Sequence, residues 1–98
     1  MVQKIVFSNR AKMAMQNIVL YLEDNVSTTT AERFVDKVYE TADKIWLNPE
    51  IGRPSPVDKN VRFIQIDSKR LLFYEFDGYK LLIADIFDMR QDPKKRKY

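Results

Sequence analysis

Residues 61–87 read VRFIQIDSKRLLFYEFDGYKLLIADIF, and three β-like runs are packed into that one stretch. They cover 61–67, 70–76 and 79–87 and are dense in Val, Ile, Leu, Phe and Tyr, which suit a pleated surface. Ser68-Lys69 separates the first two runs and Asp77-Gly78 the last two. The Asp-Gly pair predicts a two-residue type I′ hairpin, because glycine accepts the positive φ that this turn demands. The last run is apolar on both faces except for Asp85, which places it inside a sheet rather than at an edge. Phe63, Phe73, Tyr74, Phe76 and Phe87 read as strand aromatics that cover the sheet.

Working back from this stretch, residues 48–60 (NPEIGRPSPVDKN) hold three prolines, a glycine and no periodicity, so they form a surface loop. Before the loop lies a strong helical pattern. Ala31, Phe34, Val35, Val38, Ala42, Ile45 and Trp46 trace one stripe, while Arg33, Asp36, Lys37, Glu40, Asp43 and Lys44 cover the opposite face. Thr29 with Glu32 predicts a capping box at its start, and Pro49 stops it by Asn48. An earlier helix is marked by Ala11, Ala14/Met15, Ile18/Val19 and Leu22, with Ser8 or Asn9 as N-cap and an end near Asn25. The short connection between the two forces an antiparallel helix hairpin. Residues 2–7 (VQKIVF) predict a first strand. The expected architecture is α+β: β-α-α-β-β-β, an antiparallel-rich sheet with a helix hairpin packed on one face.

With 98 residues and 11.7 kDa, the chain has room for a single domain, 1–98. It contains no cysteine and no histidine. Disulfide frameworks, thiolate or imidazole metal sites, Ser-His-Asp triads and Cys-His dyads are therefore excluded, and no cofactor or metal is expected. With two glycines, Gly52 and Gly78, a glycine-rich phosphate loop is excluded too. No apolar run reaches the length of a membrane span, and the N-terminus is not a signal peptide, so no membrane partner and a cytoplasmic location are expected. The charge is unevenly distributed. Residues 1–89 carry twelve Lys/Arg against thirteen Asp/Glu, whereas 90–98 (RQDPKKRKY) carry five positives against one Asp. Such a basic tail is either a solvated terminus or a contact for a phosphate-rich or acidic partner.

Read in order, these pieces resemble the RelE/ParE superfamily of bacterial toxins. The likeness rests on Ala11 after the first strand, Ile18-x-x-Tyr21-Leu22, the Ala31-Glu32-Arg33-Phe34 helix start and the Leu47-x-Pro49-x-x-Gly52-Arg53 exit. Val61-Arg62, Phe73-Tyr74 and the terminal Arg90-Gln91-Asp92-Pro93 complete it, and this ending resembles the ParE branch more than the RelE branch. The resemblance implies the toxin of a type II toxin–antitoxin pair, of the kind that serves plasmid stabilisation. A ParE-like chain would inhibit DNA gyrase and replication. A RelE-like one would be an endoribonuclease cutting mRNA on the ribosome, and a degenerate toxin kept for antitoxin binding is a third reading. Either toxin implies a cognate antitoxin whose segment lies in the apolar groove beside the helix hairpin as a helix or an added strand, in a hetero-oligomer.

Arg62 opens a strand and Arg90 follows the last one; the resemblance places basic residues at these two positions on a concave face of the sheet. A guanidinium there stabilises phosphate charge or binds a carboxylate bidentately, unless it is spent on Asp67, Asp85 or Asp88. Arg62, Lys69, Arg70, Arg90, Lys94, Lys95 and Arg96 are the candidate target-binding cations. Under the nuclease reading, Arg62, Arg90 and Tyr98 are the candidate catalytic residues, with Tyr98 a stacking platform for a base. RNA cleavage needs a general base and a general acid. Without histidine these roles fall to Glu50, Glu75, a lysine or Tyr98, which weighs against the nuclease.

Overall fold

The computed structural model describes residues 4–98; the part of the expected first strand at residues 2–3 lies outside them. Strand β1 (Ile5–Phe7) leads into helix α1 (Asn9–Asn25) and helix α2 (Thr28–Leu47). Strands β2 (Arg53–Pro54), β3 (Arg62–Gln65), β4 (Arg70–Phe76) and β5 (Leu81–Asp88) follow, and a 3-10 turn spans Pro93–Lys95. The five strands form one sheet in the order β1-β5-β4-β3-β2, antiparallel except for the parallel β1–β5 pair. β5 is thus internal, as its two apolar faces require.

Ser8 caps α1, its hydroxyl accepting from the Ala11 amide at 3.0 Å. α2 starts earlier than the Thr29–Glu32 capping box implies. Ser27 is the N-cap, with its Oγ accepting from the Thr30 amide at 3.0 Å. The reason is local: α1 ends at Asn25, and Ser27 already has the extended backbone and the hydroxyl that a cap needs. Asn48 closes α2 ahead of Pro49.

Two further details depart from expectation. The loop after α2 contains β2, because residues 53–54 fold back beside β3, pairing Arg53 with Phe63 and Pro54 with Arg62. Proline is tolerated there since β2 is the sheet edge. The β4–β5 turn holds four residues, as Phe76 pairs with Leu81. A type I′ turn needs two residues at positive φ, and Gly78 alone has one, 94°, among the described residues. The Asp77 carboxylate organises the turn instead, accepting from the amides of Tyr79 and Lys80 at 2.9 and 2.8 Å.

The sheet separates two cores. On one face Leu72, Tyr74, Leu81, Ile83 and Ile86 pack with Ala11, Ile18 and Leu22 of α1 and Phe34, Val38 and Ile45 of α2. On the other, Val61, Leu71, Phe73, Ala84 and Phe87 form a smaller cluster, flanked by Phe63 and by Tyr98 from the C-terminal segment. A bulge at Ala84, between the Tyr74–Ile83 and Phe73–Asp85 pairs, lets β5 serve both.

Candidate functional site

β1 pairs only with Leu81–Ile83, so the second half of β5 faces α1 across a groove of about 800 Å³. Met13, Ala14, Ile18 and Tyr21 make its α1 wall and Ile86 and Phe87 lie opposite. Asp85, the lone charge in the apolar run, takes the Ile86 amide at 2.8 Å on one oxygen and Arg10 Nε at 2.9 Å on the other. Arg10 also donates to the Lys95 carbonyl at 3.0 Å, tying the C-terminal segment to the start of α1. The isolated Asp in an apolar strand was the signal for this link; nothing in the pattern of α1 marks Arg10 as its partner.

The mouth of the groove is charged. Arg90 grips Asp88 with Nε on Oδ1 at 3.0 Å and Nη2 on Oδ2 at 2.7 Å. Chiefly through that side-chain bond, Arg90 holds the Asp88 carboxyl below the usual carboxylate range, and Asp88 raises Arg90 in return. Arg70 pairs in register with Asp88, is buried, bonds Asp67 at 3.1 Å and lies over the Phe34 ring at 5.1 Å. It is therefore spent inside the fold rather than displayed at a turn. Lys69 is exposed, its carbonyl accepting from the Met89 amide at 2.7 Å, and Lys94 and Lys95 are exposed on the 3-10 turn.

A depressed carboxyl stabilises the fold above its unfolded pKa, near 4, and that share is lost as pH falls through the lower folded value. Asp88→Asn is accordingly expected to cost on the order of 2 kcal/mol at neutral pH, since Arg90 loses its two-oxygen acceptor and the buried Arg70 loses a neighbouring negative charge. It should also flatten the acid limb of stability below about pH 4. Urea titrations from pH 2 to 7 check both, and an unchanged acid limb contradicts the assignment.

The other candidates lie elsewhere. Arg62 sits on β3 opposite Tyr74 and donates to the Gly52 carbonyl at 2.7 Å and the exposed Glu50's carbonyl at 3.5 Å. Tyr74 completes that corner, donating to the Pro49 carbonyl at 2.7 Å and accepting from the Gly52 amide at 2.9 Å; burial raises its pKa. Tyr74 and Arg70 are four positions apart on β4, about 13 Å along the strand, so Arg62 and Arg90 are at opposite ends of the sheet. Arg62 shares the helix-facing side with Ile64, whereas Tyr98 packs on the far side against Phe73, ring centroids 5.5 Å apart. Arg62, Arg90 and Tyr98 thus do not converge.

The C-terminal segment is ordered by several contacts. Arg96 lies over Phe63 and Phe73 at 5.5 and 5.1 Å, and Ser55 Oγ donates to the Tyr98 carbonyl at 2.8 Å. Glu75 borders a separate cleft of about 360 Å³ with Asn60, Asp77 and Lys80. Among the described residues no three His, Cys, Asp or Glu side chains are placed to hold a metal ion, and no helix is long and apolar enough to cross a membrane.

A helix hairpin on this five-stranded mixed sheet is an α+β fold that matches the RelE/ParE toxin structures. Within that class, the model of the ParE toxin of the type II toxin–antitoxin system parDE matches residues 5–93, and the chain belongs to that family. No curated protein matches the sequence. The fold is similar to that of the chromosomal ParDE system from P. aeruginosa, TM-score 0.75 at 18% identity over 90% of this chain and 97% of that one. It is also similar to the YoeB/ParE toxin from Agrobacterium tumefaciens, TM-score 0.62 at 14% identity over 88% and 98%. A third is a heterotetrameric YoeB-YefM toxin-antitoxin complex from Staphylococcus aureus, TM-score 0.60 at 20% identity over 87% and 94%. The chain is a toxin of a type II toxin–antitoxin system.

Proposed function

We propose that this toxin inhibits DNA gyrase and so blocks replication in the cytoplasm, and that a cognate antitoxin neutralises it by laying an acidic amphipathic segment in the α1–β5 groove. The match to the ParE model over nearly the whole chain carries the reading. The dispersal of Arg62, Arg90 and Tyr98 supports it, since phosphodiester cleavage needs charge, acid and base around one phosphorus. Lys69, Lys94 and Lys95, with Arg90 at the groove mouth, are the cations offered to the target; Arg62 and Arg70 are engaged within the fold. The antitoxin reading is supported by the groove's apolar α1 wall between cations, and by the assembly of the similar YoeB with YefM.

One observation favours the ribonuclease instead: Arg96, Phe63, Phe73 and Tyr98 make a cation–aromatic surface on which a base could stack. A gyrase supercoiling assay with purified protein separates the two. The wild type is expected to inhibit, and Lys94→Glu/Lys95→Glu, which touches no side-chain contact of the fold, is expected to weaken inhibition by about tenfold or more. Undiminished supercoiling with wild type present, alongside cleavage of ribosome-bound mRNA, would favour the nuclease.

A further inference from the structure

At the groove mouth two guanidinium groups compete for one buried carboxylate. Arg90 occupies both oxygens of Asp88, and its own amide adds a bond to Oδ1 at 2.9 Å. Arg70 is more than nine-tenths buried and its Nη1 is on Asp67, yet its Nε–H has no hydrogen-bond partner. The nearest carboxylate oxygen is Asp88 Oδ2 at 3.7 Å, beyond hydrogen-bond reach. A buried donor left in this state is rare, because it forfeits hydration without gaining a bond.

We propose that Arg90 is a releasable arm. When an acidic helical segment of the antitoxin enters the groove, Arg90 leaves Asp88 for a carboxylate of that segment, and Asp88 turns onto the waiting Nε–H of Arg70. Stripping a buried carboxylate of its partner is ordinarily costly. Here the second guanidinium stands a shift of about 1 Å away. Arg70 is the fixed member, clamped by Asp67 and by the Phe34 ring, whereas Arg90 is half exposed and free to swing. A peptide carboxylate suits the site better than nucleic acid. Met13, Ile18 and Tyr21 offer an apolar wall that one face of an amphipathic helix can cover and a chain of phosphates cannot. The partner in this proposal rests on the antitoxin reading above; the exchange between Asp88 and Arg70 does not.

The test follows the Arg70 Nε–Hε resonance by NMR in the full chain. Arg90→Gln imitates the released state, and the Arg70 signal is expected to move downfield as Asp88 closes on it. Arg90→Lys, which keeps the charge but loses the two-pronged grip, is expected to move it the same way. An unmoved Arg70 signal in either folded variant overturns the exchange. The wild type is then titrated with a synthetic amphipathic helix carrying leucines on one face and glutamates on the other, and with its glutamine twin. The glutamate peptide is expected to bind about tenfold or more tightly, with the Arg70 shift appearing on binding and the preference lost in Arg90→Gln. Equal binding of the two peptides, or binding of neither, overturns the carboxylate partner while the Arg70 signal still decides the exchange.

Discussion

Phe73→Ala is expected to lower folding stability by about 3–5 kcal/mol, a fall in midpoint of roughly 15 °C or more for a domain this small. Phe73 has no solvent exposure and is the centre of the smaller core, among Val61, Leu71, Ala84 and Phe87. The helices do not cover that side of the sheet, so few neighbours can collapse into the space left. The same ring supports the C-terminal segment: Tyr98 and Phe63 pack against it at 5.5 and 5.7 Å, and Arg96 stacks on it. Loosening of the segment should accompany the loss of stability, and faster tryptic cleavage at Lys94–Lys97 would report it. A normal midpoint would contradict the second core, and slow cleavage in the variant would contradict the support given to the tail.

Gly52→Ala is expected to cost about 3 kcal/mol, the sum of a steric insertion and a broken buried bond. A Cβ at residue 52 would stand 2.7 Å from the Tyr74 hydroxyl and 2.9 Å from the Phe63 carbonyl. One of these is backbone of β3 and cannot turn aside. Relief by moving the loop would break the Gly52 amide bond to Tyr74, the Tyr74 bond to Pro49 and the Arg62 bond to the Gly52 carbonyl. Tyr74→Phe/Gly52→Ala checks the cause. With the hydroxyl gone, alanine should cost less than it does in the wild type, because one of the three conflicts is removed and those with the residue 74 ring edge, 2.8 Å from the Cβ, and the Phe63 carbonyl remain. Additive costs measured by urea denaturation would show that the Tyr74 hydroxyl is not what excludes the Cβ.

Local chemistry made much of this architecture legible in the sequence. The stripes of α1 and α2, their ends at Asn25 and Asn48, the β4 boundaries and the internal place of β5 each follow from patterns a few residues long. Non-local pairing decided the rest. Arg70 is a candidate target-binding cation in the sequence, beside Lys69 at the start of a strand run; Asp88, eighteen residues on, and Phe34 draw it inside. The Asp77-Gly78 pair suggested the tightest hairpin, but the Asp77 carboxylate has two amides within reach and organises a longer one. β2 exists only because β3 lies beside it. The tail reads as charge with Tyr98 as a stacking platform for a base, since nothing in KKRKY says that Phe63 and Phe73 wait on an uncovered sheet face. Of the candidate cations, sequence could name the residues but not sort the exposed ones, Lys69, Lys94 and Lys95, from the internally bonded Arg62 and Arg70.

The most direct test of the functional account is to induce this chain alone in a bacterial host and pulse-label DNA and protein synthesis over the first minutes. Gyrase inhibition predicts that DNA synthesis falls first, with a DNA-damage response, while protein synthesis continues. Protein synthesis falling first while DNA synthesis continues would contradict it and turn attention to the Arg96–Phe73–Tyr98 face as a surface for RNA.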